Sequence, residues 1–351
     1  MKKICIIGGG FYGCYLAKKF KEKYKSKIQI DIFEKNTKLI QEAGSNNQHK
    51  LHLGFHYPRS MDTIKQVING SKKFTKEFRR FVFFPKENLY LIHKKSIVNS
   101  DAFFNIFKKL NVKINKFDLK KIKILKNPND FSSAYRVREG VIKFDQLNRF
   151  LINYLNKNCN IYKKEIIKVN SSRGIVFDTK KRQYKYDFIL NCTYTNPNMG
   201  LREKFKIKYE FAGMVIFKNL IKKRIGITIM DGPFATLYPR HKSFFSISSV
   251  KFTPIKRFKN LNDLNKYHYN FKDFSKKNLK LILNHAREYF NNDLIIKNPK
   301  LITSPKTKIR NDNNDQRPSL IKNYKKTYSI LAGKIDVAPI IFEKLSKKIK
   351  I

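Results

Sequence analysis

"KKICIIGGGFYGCYLA", residues 2–17, supports two incompatible readings. Two lysines, an apolar run and then Gly13-Cys14 are how an export signal or lipoprotein anchor begins. The same residues are also a short strand, KICII (3–7), running into Gly8-x-Gly10-x-x-Gly13. An export signal needs an unbroken apolar helix followed by small residues and a polar mature start. Here consecutive glycines break the run, Tyr12 and Tyr15 follow, and KKFKEKYKSK comes next, so that reading is set aside. The strand reading predicts its own surroundings. It requires a helix over 11–24, with Phe11, Cys14, Tyr15 and Phe20 at helical spacing, and then a strand in IQIDIFEKN (28–36) ending near Glu34. In such a unit Gly8 takes the tight turn, Gly10 lets backbone amides approach a diphosphate, and Gly13 lets the helix lie close on the strand. The helix N-terminus supplies a positive field, and Glu34, 21 residues beyond Gly13, accepts ribose hydroxyls. The expected dinucleotide site is therefore Gly8, Gly10, Phe11, Tyr12, Gly13, Glu34 and Lys35.

At 351 residues the chain exceeds what one compact core usually holds, so two domains, or one large domain with an inserted second layer, are expected. No apolar stretch approaches the ~20 residues that cross a bilayer, so a soluble protein without a membrane span is expected. Lys and Arg number 76 against 26 Asp and Glu, a formal charge of +50. Lysine runs from end to end among Asn and Ile, with no basic block and no arginine–aromatic alternation. Background composition therefore outweighs a polyanion groove, and a small molecule rather than nucleic acid is the expected partner. The charge suits an anionic substrate. Cys5, Cys14, Cys159 and Cys192 lack metal or CxxC spacing and read as small hydrophobes in a reducing cytoplasm.

After Glu34 the chain does not add the βαβ units of a doubly wound sheet. LIQEAGSNNQHKLHLGFHYPRS (39–60) is too rich in His, Asn and Gly for a crossover helix, and a helix over about 61–81 follows with Ile64, Val67, Phe74 and Phe78 on one face. This order resembles the flavoprotein oxidoreductases of the D-amino-acid oxidase type. Within that group, NNQHKLHLGFHYPRS (46–60) and MDGPFATLYPR (230–240) resemble uncharacterised FAD-dependent oxidoreductases associated with surface-polysaccharide genes. The resemblance implies FAD, with its ADP half on the glycine turn and the loop bearing Ser45, Asn47 and Gly54 beside the isoalloxazine. It implies that backbone near Ile166 and Ile167 meets the adenine. It implies also that the strand end in YDFILNCTYTNPN (186–198) borders the flavin, with Cys192 and Thr193 where the family has small residues and glycine. Gly333, Lys334 and Ile335, in YSILAGKIDVAPIIFEKLSKK (328–348), would bring the last helix N-terminus to the flavin, with Asp336 near its hydroxyls. Arg317, in NDNNDQRPSLI (311–321), would face the flavin or the substrate's acid group.

The intervening segments differ in kind. KENLYLIHKKS (86–96) reads as a strand, DAFFNIFKKLN (101–111) as a helix, the stretch from Lys206 as antiparallel strands, and 276–290 as a helix. The expected fold is α/β: a Rossmann-like FAD-binding domain (1–80, 141–200 and 301–351) interleaved with an antiparallel-sheet substrate domain (81–140 and 201–300) that roofs the flavin.

His49, His52 and His56 crowd one loop beside Tyr57. Zinc is set aside because the loop lacks Cys and nearby acids, and Gly54 and Pro58 disfavour a helix; no metal is expected. If LHLGFHY is extended, His52, Gly54 and His56 share a face and Gly54 lets a ring come close; the alternative is a set of exposed loop histidines. Tyr238 and Arg240 alternate onto one face, an aromatic and a forked cation for a carboxylate or phosphate, or else a solvated surface pair. Catalytic candidates are thus His52, His56, Tyr57, Tyr238, Arg240 and Arg317, with no obvious general base. The resulting expectation is a cytoplasmic FAD-dependent oxidoreductase acting on an amine, amino acid or amino-sugar-like compound. The alternatives are a flavin-dependent nucleotide-sugar mutase without net redox, which HLGFHYPRS also resembles, and an FAD-containing RNA-binding or RNA-modifying protein.

Overall fold

The computed structural model describes residues 1–218, 224–271, 275–310 and 317–351. The polar stretch 311–316, read above with Arg317, lies outside the described residues. Lys2–Ile7, buried from Ile4 on, is the centre of a six-stranded sheet. Its order is Leu320–Tyr324, Thr327–Leu331, Phe188–Asn191, Lys2–Ile7, Ile28–Phe33 and Asn160–Tyr162; all pairs are parallel except the first. A parallel sheet needs helices on its faces, and Phe11–Tyr24, Met61–Phe78, Phe144–Asn158 and Ala338–Lys348 supply them. Ile4, Ile6, Phe11, Phe74, Phe144, Val337 and Ile341 interlock in one core between these elements. Gly70 allows the second helix to close on the end of the chain, since a Cβ there would stand 2.7 Å from the Asp336 carbonyl oxygen.

The second layer is a nine-stranded sheet, antiparallel except where Ile225–Met230 runs parallel to Glu87–His93. Ile207–Lys218 pairs with three strands, among them Lys297–Ile309 along its length. Residues 301–309, expected in the dinucleotide domain, are thus hydrogen-bonded into the large sheet. The helix Ser275–Ala286 buries Ile282 and Ala286 in the core of this layer. Lys50–Leu51, Gly140–Ile142 and Val82–Phe83 form a small sheet of their own. Among the described residues no helix is long and apolar enough to cross a membrane.

Candidate cofactor and substrate site

The glycines of the first turn do three different things. Gly8 has φ +96° and sits so close to the neighbouring strand end that a Cβ would lie 2.8 Å from the Cys192 carbonyl oxygen. A Cβ on Gly13 would lie 2.0 Å from the Gly8 oxygen, so the helix can start there only without a side chain. Gly10 is different: a Cβ on it would meet nothing within 4 Å. Open space therefore lies against backbone at the N-terminus of a 14-residue helix, where unpaired amides and the helix dipole favour an anion. Glu34 closes one side, its Oε2 accepting from the Gly9 amide at 2.7 Å and its Oε1 from the Asn36 amide at 2.8 Å. Burial raises its carboxyl above the usual range, opposed by those two hydrogen bonds. Each oxygen keeps a lone pair for a further donor.

Some expected cofactor residues serve the fold instead. The Phe11 ring is packed between Tyr15, Phe74 and Phe144, so only its backbone faces the turn. Tyr12 ties the two chain ends together, its hydroxyl bonded to Ser319 Oγ (2.9 Å) and donating to the Lys334 carbonyl (2.5 Å). Ser45 donates to the Ile40 carbonyl and Asn47 to the Ala43 carbonyl, which shape their own loop. Lys35 is exposed beside Glu34. Ile166 is buried but Ile167 is 53% exposed at the start of a separate three-stranded sheet. Thr193 is turned toward Asn191, and Cys192 is buried with its thiol pushed up by burial.

The loop at 52–58 corrects the expectation of an extended segment. The Tyr57 amide donates to the Gly54 carbonyl and that of Ser60 to the Tyr57 carbonyl, so the chain makes successive turns. Gly54 has φ +86° and its Cα faces Ile64, 2.9 Å from where a Cβ would be; the glycine serves packing against the second helix rather than approach of a flavin. The turns nevertheless bring His52 and His56 together, ring centroids 5.8 Å apart. His52 Nε2 lies 3.2 Å from Lys334 Nζ, and its backbone amide donates to Asp336 Oδ2. Lys334 Nζ stands 5.0 Å over the Tyr57 ring. Arg317 and Gly333 share the wall of a small pocket with Tyr194 and Thr307, and a Cβ on Gly333 would collide with the Arg317 carbonyl. His52, His56, Tyr57, Gly333, Lys334 and Arg317 thus border one region.

Tyr238 and Arg240 do not present a binding face. Tyr238 is fully buried, its hydroxyl bonded to Asn88 and the Gly140 carbonyl. Arg240 clamps the 45–49 loop, reaching the Asn47 carbonyl and lying 3.1 Å from His49 Nε2. Both point into the seam between layers because the roof is covered there, which alternation within one strand does not reveal.

The sequence reading missed the most heavily engaged charges. Lys50 Nζ meets Glu139 Oε2 at 2.8 Å, Tyr90 Oη at 2.8 Å and Thr228 Oγ1 at 3.0 Å, between the rings of Tyr90 and Tyr238, with both ionic side chains fully buried. Burial lowers the Lys50 pKa and Glu139 opposes that shift. Lys306, on the strand facing Glu210, is pushed down to about 8 by burial and then by Arg317. Asp336 is pushed up to about 7 by burial, with Lys334 opposing. One signal was available for Glu139: with only 26 acids among 351 residues, an acid inside AYRVREGVI stands out. Lysines in this composition carry no such signal.

The region suits a large polar cofactor. Besides the open space at Gly10, the buried atoms His52 Nδ1, His56 Nδ1 and Asp336 Oδ1 have no hydrogen-bond partner among the described residues, and such atoms ordinarily find one. The same burial makes stability pH-dependent. His49, His52 and His56 are all held well below the usual imidazole range, first by burial. Below the ordinary histidine pKa of about 6.5 the unfolded chain binds these protons and the folded chain does not, so stability falls as pH falls. Asp336 acts oppositely, holding in the folded state a proton that the unfolded chain lacks above about pH 4. Between pH 6.5 and 5.5 the net uptake on unfolding averages a little over one proton, three partly protonated histidines less the Asp336 proton, which predicts a loss of about 2 kcal/mol across that interval. Urea midpoints at pH 6.5 and 5.5 measure it; equal midpoints would contradict the burial of these histidines.

No protein-family model matches the chain. It is 25% identical over 256 residues to the FAD-dependent monooxygenase FPY4 of Fusarium mangiferae, covering 72% of this chain and 65% of that protein. It is 24% identical over 266 residues to the FAD-dependent monooxygenase kojA of Aspergillus flavus, covering 68% and 58%. The chain therefore matches less than two thirds of the length of these relatives. Among solved structures, glycine oxidase from Geobacillus kaustophilus superposes with a TM-score of 0.75 over 100% of this chain and 96% of its own at 11% identity. A fructosyl peptide oxidase gives 0.73 over 97% and 88% at 10%. FAD-bound L-alpha-glycerophosphate oxidase from Mycoplasma pneumoniae gives 0.70 over 98% and 94% at 15%. At such identities the likeness establishes architecture: the chain has the fold of glycine oxidase and its structural relatives.

Proposed function

We propose that this chain is an FAD-dependent oxidoreductase that dehydrogenates a small amine or amino acid bearing an acid group. The observation that carries the reading is the free space at Gly10, bounded by helix amides and Glu34. The amides at the start of the helix, from Gly10 on, would hold the diphosphate, since those of Gly8 and Gly9 already donate to the Phe33 carbonyl and Glu34; Glu34 would hold the ribose, and the Gly333–Asp336 segment the far end of the cofactor. The FAD-dependent relatives and the glycine oxidase fold support FAD over other dinucleotides. Bound FAD supplies a two-electron acceptor for the hydride leaving the substrate carbon. The chain's own residues bind and deprotonate. Arg317 offers a planar fork to a carboxylate, and the nearby cations Lys306 and Lys334 favour an anionic substrate. His52 Nε2, kept neutral by burial and the neighbouring cations, takes the proton that a substrate ammonium loses once Lys334 Nζ, 3.2 Å away, turns from its lone pair to the substrate's acid group.

Anaerobic mixing of the FAD-loaded protein with amines, amino acids and nucleotide sugars tests this. Bleaching of the flavin absorbance near 450 nm by one amine or amino-acid class is the expected result, on the order of complete reduction within a few turnovers. Activity on a nucleotide sugar only after prior reduction, with no net redox change, would overturn it.

A further inference from the structure

The orientation of the His52 ring follows from its neighbours. An ammonium donates hydrogen bonds and accepts none, so with Lys334 Nζ at 3.2 Å the Nε2 atom must carry the lone pair. The neutral ring therefore holds its proton on Nδ1, which faces Glu139 Oε1 at 4.0 Å. That carboxylate cannot swing away. Its Oε1 accepts from the Leu53 amide at 2.8 Å, and its Oε2 takes Lys50 Nζ and the Tyr90 hydroxyl, both at 2.8 Å. Lys50 is pinned in turn by Thr228 and two tyrosine rings. A buried ion pair is no strong stabiliser, since desolvation offsets most of its attraction. This one joins the nine-stranded sheet, which supplies Tyr90, Thr228 and Tyr238, to the loop that carries His52.

We propose that the Lys50–Glu139 pair is a positioning device for His52: Glu139, held by Lys50 and the Leu53 amide, stands 4.0 Å from Nδ1, beyond hydrogen-bonding reach, and its charge favours a proton there, while Lys50 opposes that effect. The assignment of a proton-accepting role to Nε2 rests on the proposed function; the tuning of the ring does not. The charged and titratable groups around His52 are Lys50 and Glu139 at the small sheet, Lys334 and Asp336 before the last helix, and His56 and Tyr57 on its own loop. Among them Glu139 and Lys50 act on the ring with opposite signs, and that opposition can be measured.

The test uses the full chain with 15N-labelled histidine and long-range 1H–15N spectra, the His52 signals being identified by their loss in His52→Gln. In the unaltered protein His52 should be neutral at pH 7 with its proton on Nδ1. Lys50→Met, which takes away the opposing cation and leaves Glu139 in place, should raise the His52 pKa by about one unit or more, and Glu139→Gln, which takes away the carboxylate, should lower it. The double variant Lys50→Met/Glu139→Gln removes both charges, keeps the amide contacts to Leu53 and Tyr90, and should fall between them. It also serves if a single variant does not fold: its His52 must then differ from the unaltered protein in pKa or tautomer. A His52 that is Nε2-protonated, or that titrates identically in every variant that folds, overturns the proposal. Neither result depends on finding a substrate, so failure here and failure of the oxidoreductase reading are separable.

Discussion

Gly10→Val is expected to weaken FAD binding by more than about 100-fold while leaving the fold intact, and Gly13→Ala to do the opposite, unfolding the chain at ordinary temperature. At Gly10 the backbone is extended, with φ −70° and ψ −176°, which a β-branched residue accepts, and the added carbons enter open space. That space is where the diphosphate would lie. Losing even two charge-assisted amide contacts at about 1.5–3 kcal/mol each removes at least two orders of magnitude in affinity. At Gly13 alanine has the better helix propensity by about 1 kcal/mol. The gain is overwhelmed because the methyl carbon would sit 2.0 Å from the Gly8 oxygen, and Gly8 cannot yield, being held at φ +96° against Cys192. Overpacking against side chains costs about 1–3 kcal/mol, and a rigid backbone collision belongs at or above that range. Fluorescence titration with FAD and thermal midpoints of the apo proteins read both effects. A Gly10→Val protein that binds FAD normally would remove the cofactor from this turn.

The second large effect concerns the buried ion pair. Lys50→Met alone leaves the buried Glu139 carboxyl with no cation beside it, and should cost about 3–5 kcal/mol of stability. Glu139→Gln should cost somewhat less, because Lys50, whose pKa burial already lowers, can shed its proton. The double variant Lys50→Met/Glu139→Gln should recover most of the loss, to within about 2 kcal/mol of the unaltered chain, since no charge is left unpaired and the Leu53 and Tyr90 contacts survive. A double-mutant cycle in urea measures the coupling. Additive losses would mean that the pair does not act as a unit.

What the sequence made legible was local. The glycine spacing, the buried runs on either side and the acid at the second strand's end are all contained in residues 2–34, and the helix 11–24 and the strand ending beside Glu34 are found where they were expected. Local signals also misled. Gly54 was given a ligand's space when Ile64 occupies it, although Gly54 and Pro58 together signal turns rather than a strand. The directions of Tyr238 and Arg240 depend on which surface the roof covers, and that is set by loop 45–49, nearly 200 residues earlier. Glu139 and Lys50, 89 positions apart, meet because the strand Gly140–Ile142 pairs with Lys50–Leu51, and no periodicity in either segment announces that pairing. Charge pairs across layers are tertiary facts.

The account depends most directly on the presence of FAD at the glycine turn. Denaturing the purified protein and chromatographing the released chromophore, or titrating the apo chain with FAD if it purifies without one, should yield one equivalent of FAD per chain. A colourless protein whose apo form takes up no FAD, behaving like its own Gly10→Val variant, would contradict it.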